Sequence, residues 1–268
     1  MIFEKLKSLF RPKQKISAPA LPFQPKENDV FIISYPKSGN TWVRFLIGNY
    51  ITDNQLNFKN AHLIIPDMHF NPAQIEKITN NPRFIKSHLP YHPQLKKVIY
   101  IVRDGREAAV SLFYYMRKMK EIPFDISLDE FLENYFFSGK TTFGQWDNHV
   151  LSWLNKSASK NLLLVKYEDM INDTATELKK MLAFSGIPID ENKVRDAVNN
   201  SSFESMKKDE QQDPNLIEKL GKDSVKTDYG FVRKGGTDSW KDEFTTSEKE
   251  KFWSLYSKAM ERLNYRKN

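Results

Sequence analysis

The chain has 268 residues with 40% hydrophobic and 28% charged side chains, the composition of a folded protein rather than a disordered one. Forty-one Lys and Arg against 34 Asp and Glu give a formal charge of +7, compatible with nucleic acid, an anionic membrane surface or a small polyanion. With no cysteine, a disulfide scaffold, a thiolate metal site and a Cys nucleophile are excluded, and the five His show no tight metal-ligand spacing, so no metal site is expected.

Residues 1–28 read as a basic arm and a Pro-rich leader. They lack both the apolar run and the small-residue cleavage site of a signal peptide. No apolar stretch approaches the roughly 18 residues that span a bilayer, so a cytoplasmic protein without transmembrane segments is expected. Residues 29–268 are expected to form a single domain.

That domain opens with Val30 to Ser34, an apolar run suited to a strand buried on both faces. Tyr35-Pro36-Lys37-Ser38-Gly39-Asn40 follows as turn chemistry, and then Trp42, Phe45, Leu46 and Tyr50 recur at helical spacing. Further strands are predicted at Arg83–Ser87, Val98–Val102 and Leu162–Val165, with helices over Gly105 to Lys118 and Thr174 to Phe184. The alternation predicts an α/β fold, three layers about a central parallel sheet, with a P-loop-like anion-binding loop after the first strand. Gly221 to Lys241 reads as a long surface loop.

A tight turn between a buried strand and a helix presents several backbone N–H groups to one anion. Lys37 adds a charge, Ser38 and Thr41 add hydroxyl donors, and Gly39 permits close backbone approach. The loop lacks the Walker A pattern, which counts against an ATP-dependent phosphotransferase. Lys86, Arg103, Arg233 and Lys234 would extend the cationic surface of such a pocket. A local anion pocket explains these charges better than a diffuse nucleic-acid-binding or membrane-binding face, although solvated surface charge is the usual fate of such residues. His88, following a predicted strand end, has the side chain suited to proton abstraction near neutral pH.

Tyr35 to Trp42 resembles the 5'-phosphosulfate loop of the cytosolic type of PAPS-dependent sulfotransferases, PAPS being 3'-phosphoadenosine-5'-phosphosulfate. Three further segments match in order. Lys86-Ser87-His88-Leu89-Pro90 resembles the segment with the catalytic histidine, Arg103 to Ser111 the 3'-phosphate segment, and Arg233-Lys234-Gly235 the C-terminal cofactor loop. The resemblance implies transfer of a sulfuryl group to a hydroxyl or amine of a small-molecule, lipid or sugar acceptor, with adenosine 3',5'-bisphosphate (PAP) released. It implies His88 as general base, Lys37, Lys86 and Ser111 as further catalytic residues, and cofactor contacts from Lys37, Ser38, Gly39, Asn40, Thr41, Trp42, Arg103 and Ser111. Tyr167, Ser201, Phe203, Arg233, Lys234 and Gly235 complete that cofactor set. Asn40 stands where the family has Thr, Ser201 likewise, and Asp238 and Ser239 replace a Gly-Asp pair. Lys241, Thr245 and Glu250 partly match a family dimer segment, so monomer and homodimer both stay open. Residues 61–70 and Phe113 to Phe137, rich in aromatics, are candidates to line the acceptor pocket, with Tyr115 facing the acceptor.

Overall fold

The structure is a computed structural model that describes residues 20–156, 160–213 and 235–267. The basic arm up to residue 19 and residues 221–234 of the expected loop lie outside the described residues. Four strands, β1 (Val30–Ser34), β2 (Phe84–Ser87), β3 (Lys97–Val102) and β4 (Leu162–Lys166), form one sheet in the order β2-β1-β3-β4. Every pairing is parallel.

Alternation along each strand decides what packs where. Phe31 and Ile33 of β1 join Ile85, Val98, Tyr100 and Val102 on one face, against Trp146, Trp153, Phe252 and Tyr256. Val30 and Ile32 join Phe84, Ile99, Ile101 and Val165 on the other face, against Val43, Leu46, Leu178 and Met181. Both faces of β1 are therefore buried, which is why its five residues read as an unbroken apolar run. The first face is covered by helices α2 (Gly105–Lys118), α3 (Trp146–Leu154) and α7 (Thr246–Arg262). The second is covered by α1 (Asn40–Ile51), α4 (Tyr167–Asn172), α5 (Thr174–Ser185) and α6 (Glu191–Asn200). The result is the expected three-layer α/β arrangement.

The pairing β2-β1-β3-β4 places a topological switch between β1 and β3, because the chain leaves β1 toward β2 on one side and leaves β3 toward β4 on the other. Registers Ile33↔Ser87, Ser34↔Ile101 and Val102↔Lys166 bring all four carboxyl ends to one edge. Ligands of open α/β sheets collect at such an edge. At the opposite end of β1 and β2, Arg83 grips Asp29 through two 2.7 Å hydrogen bonds and donates a third to Ile75 O.

Two segments differ from expectation. Trp240 and Lys241 do not belong to a surface loop but to a short helix, Trp240–Glu243. Its Trp240 is buried because the Trp240 N–H donates to Glu107 (3.0 Å) and the Arg106 guanidinium lies 3.5 Å from the ring centroid. Within Phe113 to Phe137, the side chains of Phe113, Phe131, Phe136 and Phe137 are core, packed on the sheet's first face, not pocket lining.

Candidate active site

At the carboxyl edge lies a cavity of about 1190 Å³, lined by residues that follow each of the four strands. Lys37, Gly39, Asn40, Thr41 and Trp42 come after β1, His88 after β2, Arg103 after β3, and Tyr167 at the end of β4. Ser111, Ser201, Phe203 and Gly235 also line it. Ser38 sits in the same loop, buried. Arg233 and Lys234 lie outside the described residues.

The loop is held in an unusual conformation. Lys37 has φ 66° and Gly39 φ 100°, both in the left-handed region. For a lysine that backbone is costly and persists only where the surroundings impose it. Gly39 is required twice over, since a Cβ there would sit 2.7 Å from Tyr167 Cδ2. Gly39 also stands at the N-cap of α1 without a side-chain cap. By contrast, Asp104, Asp173 and Asp190 cap α2, α5 and α6 with their carboxylates. The first-turn N–H groups of α1 are thus left for an anion.

Polar atoms around the loop are similarly unspent. Ser38 Oγ and Arg103 Nε are buried with no hydrogen-bond partner among the described residues. Arg103 is otherwise a hub. It donates to Lys37 O (3.1 Å), Glu107 (3.1 Å) and Gly236 O (2.7 Å), and its guanidinium lies 4.2 Å from the Tyr167 ring centroid. Glu107 is its carboxylate partner, while Asp104, next to it in sequence, is engaged by Arg106. The Lys37 ammonium lies 4.7 Å from the Tyr115 ring centroid, and burial draws its pKa down to about 7, with Glu210 opposing and Arg103 assisting the shift.

His88 is positioned through both its ring and its backbone. Nδ1 faces Ser34 O at 2.8 Å, and because a carbonyl can only accept, Nδ1 carries the proton. Nε2 is then the nitrogen with the lone pair. Burial first, and the Lys86 charge second, hold the imidazole well below its ordinary pKa of 6.5, so the ring is neutral near pH 7. The backbone is fixed by His149, whose Nε2 donates to His88 O (3.0 Å) while its Nδ1 accepts from Tyr100 OH (3.0 Å). Neither Tyr100 nor His149 stands out in the sequence. Only their arrival beneath His88 from separate segments gives them this role.

Three expected site residues that line the cavity also have partners within the protein. Lys86 is not a free cation: its ammonium is paired with Asp67 at 2.5 Å, since a buried charge needs a counter-charge. Asn40 spends its amide N–H groups within the protein: Nδ2 lies 3.1 Å from Ile32 O and 3.3 Å from both Ser34 Oγ and Ser87 O, and so ties β1 to β2. Ser201 is fully buried, with its Oγ engaged by Asn49 (3.1 Å) and its carbonyl by Trp42 Nε1 (2.9 Å). Ser201 therefore orients Trp42. Phe203 packs closely beside Gly235, where a Cβ would stand 3.1 Å from the ring.

The sulfotransferase domain family matches residues 27–264. This chain belongs to that family. The sulfotransferase is 33% identical to Sulfotransferase 1A1 of Bos taurus over 254 residues, covering 89% of this chain and 85% of the relative. It is 31% identical to Sulfotransferase 1B1 of Mus musculus over 256 residues, covering 89% and 84%. Among solved structures it resembles a mouse sulfotransferase complexed with PAP, with a TM-score of 0.68 and 30% identity over 89% of this chain and 85% of that one. Retinol dehydratase in complex with retinol and PAP shares the fold at TM-score 0.72 and 22% identity, over 90% and 82% of the two chains. Among the described residues of this sulfotransferase, no helix is long and apolar enough to cross a membrane.

Proposed function

We propose that this sulfotransferase takes its sulfuryl group from PAPS and passes it to a hydroxyl or amine of a small acceptor, with His88 as general base. The observation that carries this reading is the meeting, at one strand edge, of unspent anion-binding donors with a neutral imidazole whose lone-pair nitrogen is set by Ser34 O. PAPS fits these residues in kind: its phosphates need the uncapped N-terminus of α1, Ser38 Oγ and Arg103 Nε, and its adenine needs flat apolar walls. Trp42 and Phe203 would supply those walls, with Tyr167 backing Trp42 at 5.6 Å between ring centroids. Ser111, Gly235 and the segment with Arg233 and Lys234 would complete the 3'-phosphate end. Thr41 and the main chain of Asn40 would serve the 5' end.

When bound, PAPS supplies an activated sulfuryl group on a good leaving group. Lys37 brings positive charge to the side where negative charge builds as the donor's S–O bond breaks. His88 Nε2 accepts the proton of the attacking hydroxyl. Lys86 reaches the reacting centre as one half of an ion pair, so Asp67 tempers its charge. The enzyme is read as cytoplasmic and built as one domain over residues 29–268, the single family match over residues 27–264 supporting the one-domain reading.

Calorimetric titration with PAP in the absence of metal, beside ATP with Mg²⁺, tests the donor assignment. Binding of PAP with little binding of ATP is expected; the reverse result returns the chain to phosphoryl transfer. His88→Ala is expected to lower turnover by a factor on the order of 10²–10⁴ while PAP affinity stays within about twofold. An equal loss of PAP binding would remove His88 from the role of base.

A further inference from the structure

Arg44 lies on α1 two residues beyond Trp42 and lines the same cavity, on the side of Asp67, His69 and Lys86. Its Nε and Nη2 are buried and have no hydrogen-bond partner among the described residues. Leaving guanidinium donors unspent in the interior is expensive, so the position calls for an acceptor from outside the described residues, and the cavity that Arg44 lines can deliver one on a ligand. Asp67 is the carboxylate close enough to act on Arg44, but both its oxygens are engaged. Oδ2 takes the Lys86 ammonium and Oδ1 takes the His69 N–H at 2.9 Å. Counting charges at this end of the cavity, Arg44 and Lys86 face Asp67, which leaves one positive charge in excess.

On the proposed function, the donor's anionic groups would be met elsewhere, at the loop of Lys37 and Ser38 and at Arg103. We infer that Arg44 forms a subsite for an anionic group on the acceptor, so that the preferred acceptor is a hydroxyl or amine compound that also bears a carboxylate or an acidic ester. A planar guanidinium with two parallel donors suits a carboxylate or a phosphate or sulfate oxygen pair. Lys86, held by Asp67, and His88 then lie beside the acceptor's reacting end, while Arg44 fixes its charged end. Asp67 gives the same end of the pocket a repulsive wall against a misplaced anion.

This inference rests on the reading of the cavity as a shared donor and acceptor site. Its test therefore begins with PAP titration of the wild-type protein, Arg44→Gln and Arg44→Lys. Absence of PAP binding in the wild type would fell the parent reading. A large loss confined to the variants would assign Arg44 to the donor and overturn the inference. With PAP saturating, 4-hydroxybenzoate and 4-hydroxyphenylacetate are titrated beside their methyl esters. The acids are expected to bind roughly ten- to a hundredfold more tightly than the esters in the wild type. Arg44→Gln is expected to erase that preference and Arg44→Lys to keep part of it. Equal affinity for acid and ester in the wild type, binding of neither, or a preference unchanged in Arg44→Gln would overturn the inference.

Discussion

Burial disfavours the Lys37 ammonium and brings its pKa to about 7. A polyanion beside Lys37 favours the charged form and raises that pKa. At pH 8 the free amine is then mostly neutral and the complex is charged, so binding takes up a proton. PAP affinity is expected to fall as pH rises above about 7, by up to about tenfold per pH unit until the raised bound-state pKa is passed. Titrations at pH 8 in buffers of different ionisation enthalpy measure the uptake directly. Lys37→Arg, permanently charged, should abolish it, and an unchanged uptake in that variant would assign the proton to another group. His88 sets the other limb. Its pKa lies well below 6.5, so catalytic activity should persist into mildly acidic solution and be lost only as pH falls through that depressed value.

At the scale of elements, the loop and the strand base lend themselves to separate tests. Gly39→Ala places a Cβ against Tyr167 and forces a side chain into φ 100°. A cost of about 1–3 kcal/mol in urea unfolding is expected, together with weaker PAP binding, because the loop must shift to relieve the contact. Asp29→Ala leaves Arg83, buried at the far end of β1 and β2, with the longer pair to exposed Glu76 (3.5 Å) as its remaining carboxylate contact. Loss of at most about 3 kcal/mol is expected there, with no direct effect on the anion site. Denaturation of the two variants, beside PAP titration of each, separates the effects. The phosphate-type loop was legible because its parts are contiguous: a buried strand, a lysine and glycine in one turn, and an amphipathic helix. The strands β2, β3 and β4 were legible as short apolar runs. Arg44, Asp67, Tyr100 and His149 were not, since each acquires its role from a partner distant in sequence. Ser201 and Asn40 show the converse: a polar side chain in a motif can also hold the protein together, and only the packed structure shows their partners Asn49, Ile32, Ser34 and Ser87.

For the whole molecule, PAP binding should appear as stabilisation. A hundredfold excess over Kd contributes about 2.7 kcal/mol to the folded state. For a chain of this size that corresponds to a rise in Tm on the order of 5–10 °C, measurable by calorimetric scanning, whereas ATP with Mg²⁺ should leave Tm nearly unchanged. The two hydrophobic clusters sandwich one sheet, so stabilisation at the carboxyl edge is expected to delay unfolding as a single transition. Two transitions, with only one moved by PAP, would contradict the reading of residues 29–268 as one domain.

Arg103 joins Lys37 O, Glu107 and Gly236 O, the two carbonyls being separated from it by 66 and 133 positions in opposite directions. During synthesis, His88 and the loop at Lys37 leave the ribosome long before Gly236 does. An emerging chain therefore carries the imidazole proposed as base well ahead of the carbonyl that finishes orienting Arg103. Activity should accordingly be indivisible: fragments that stop short of Gly236, or a split pair cut between Arg103 and Gly236, would need both halves reunited before nucleotide could be held.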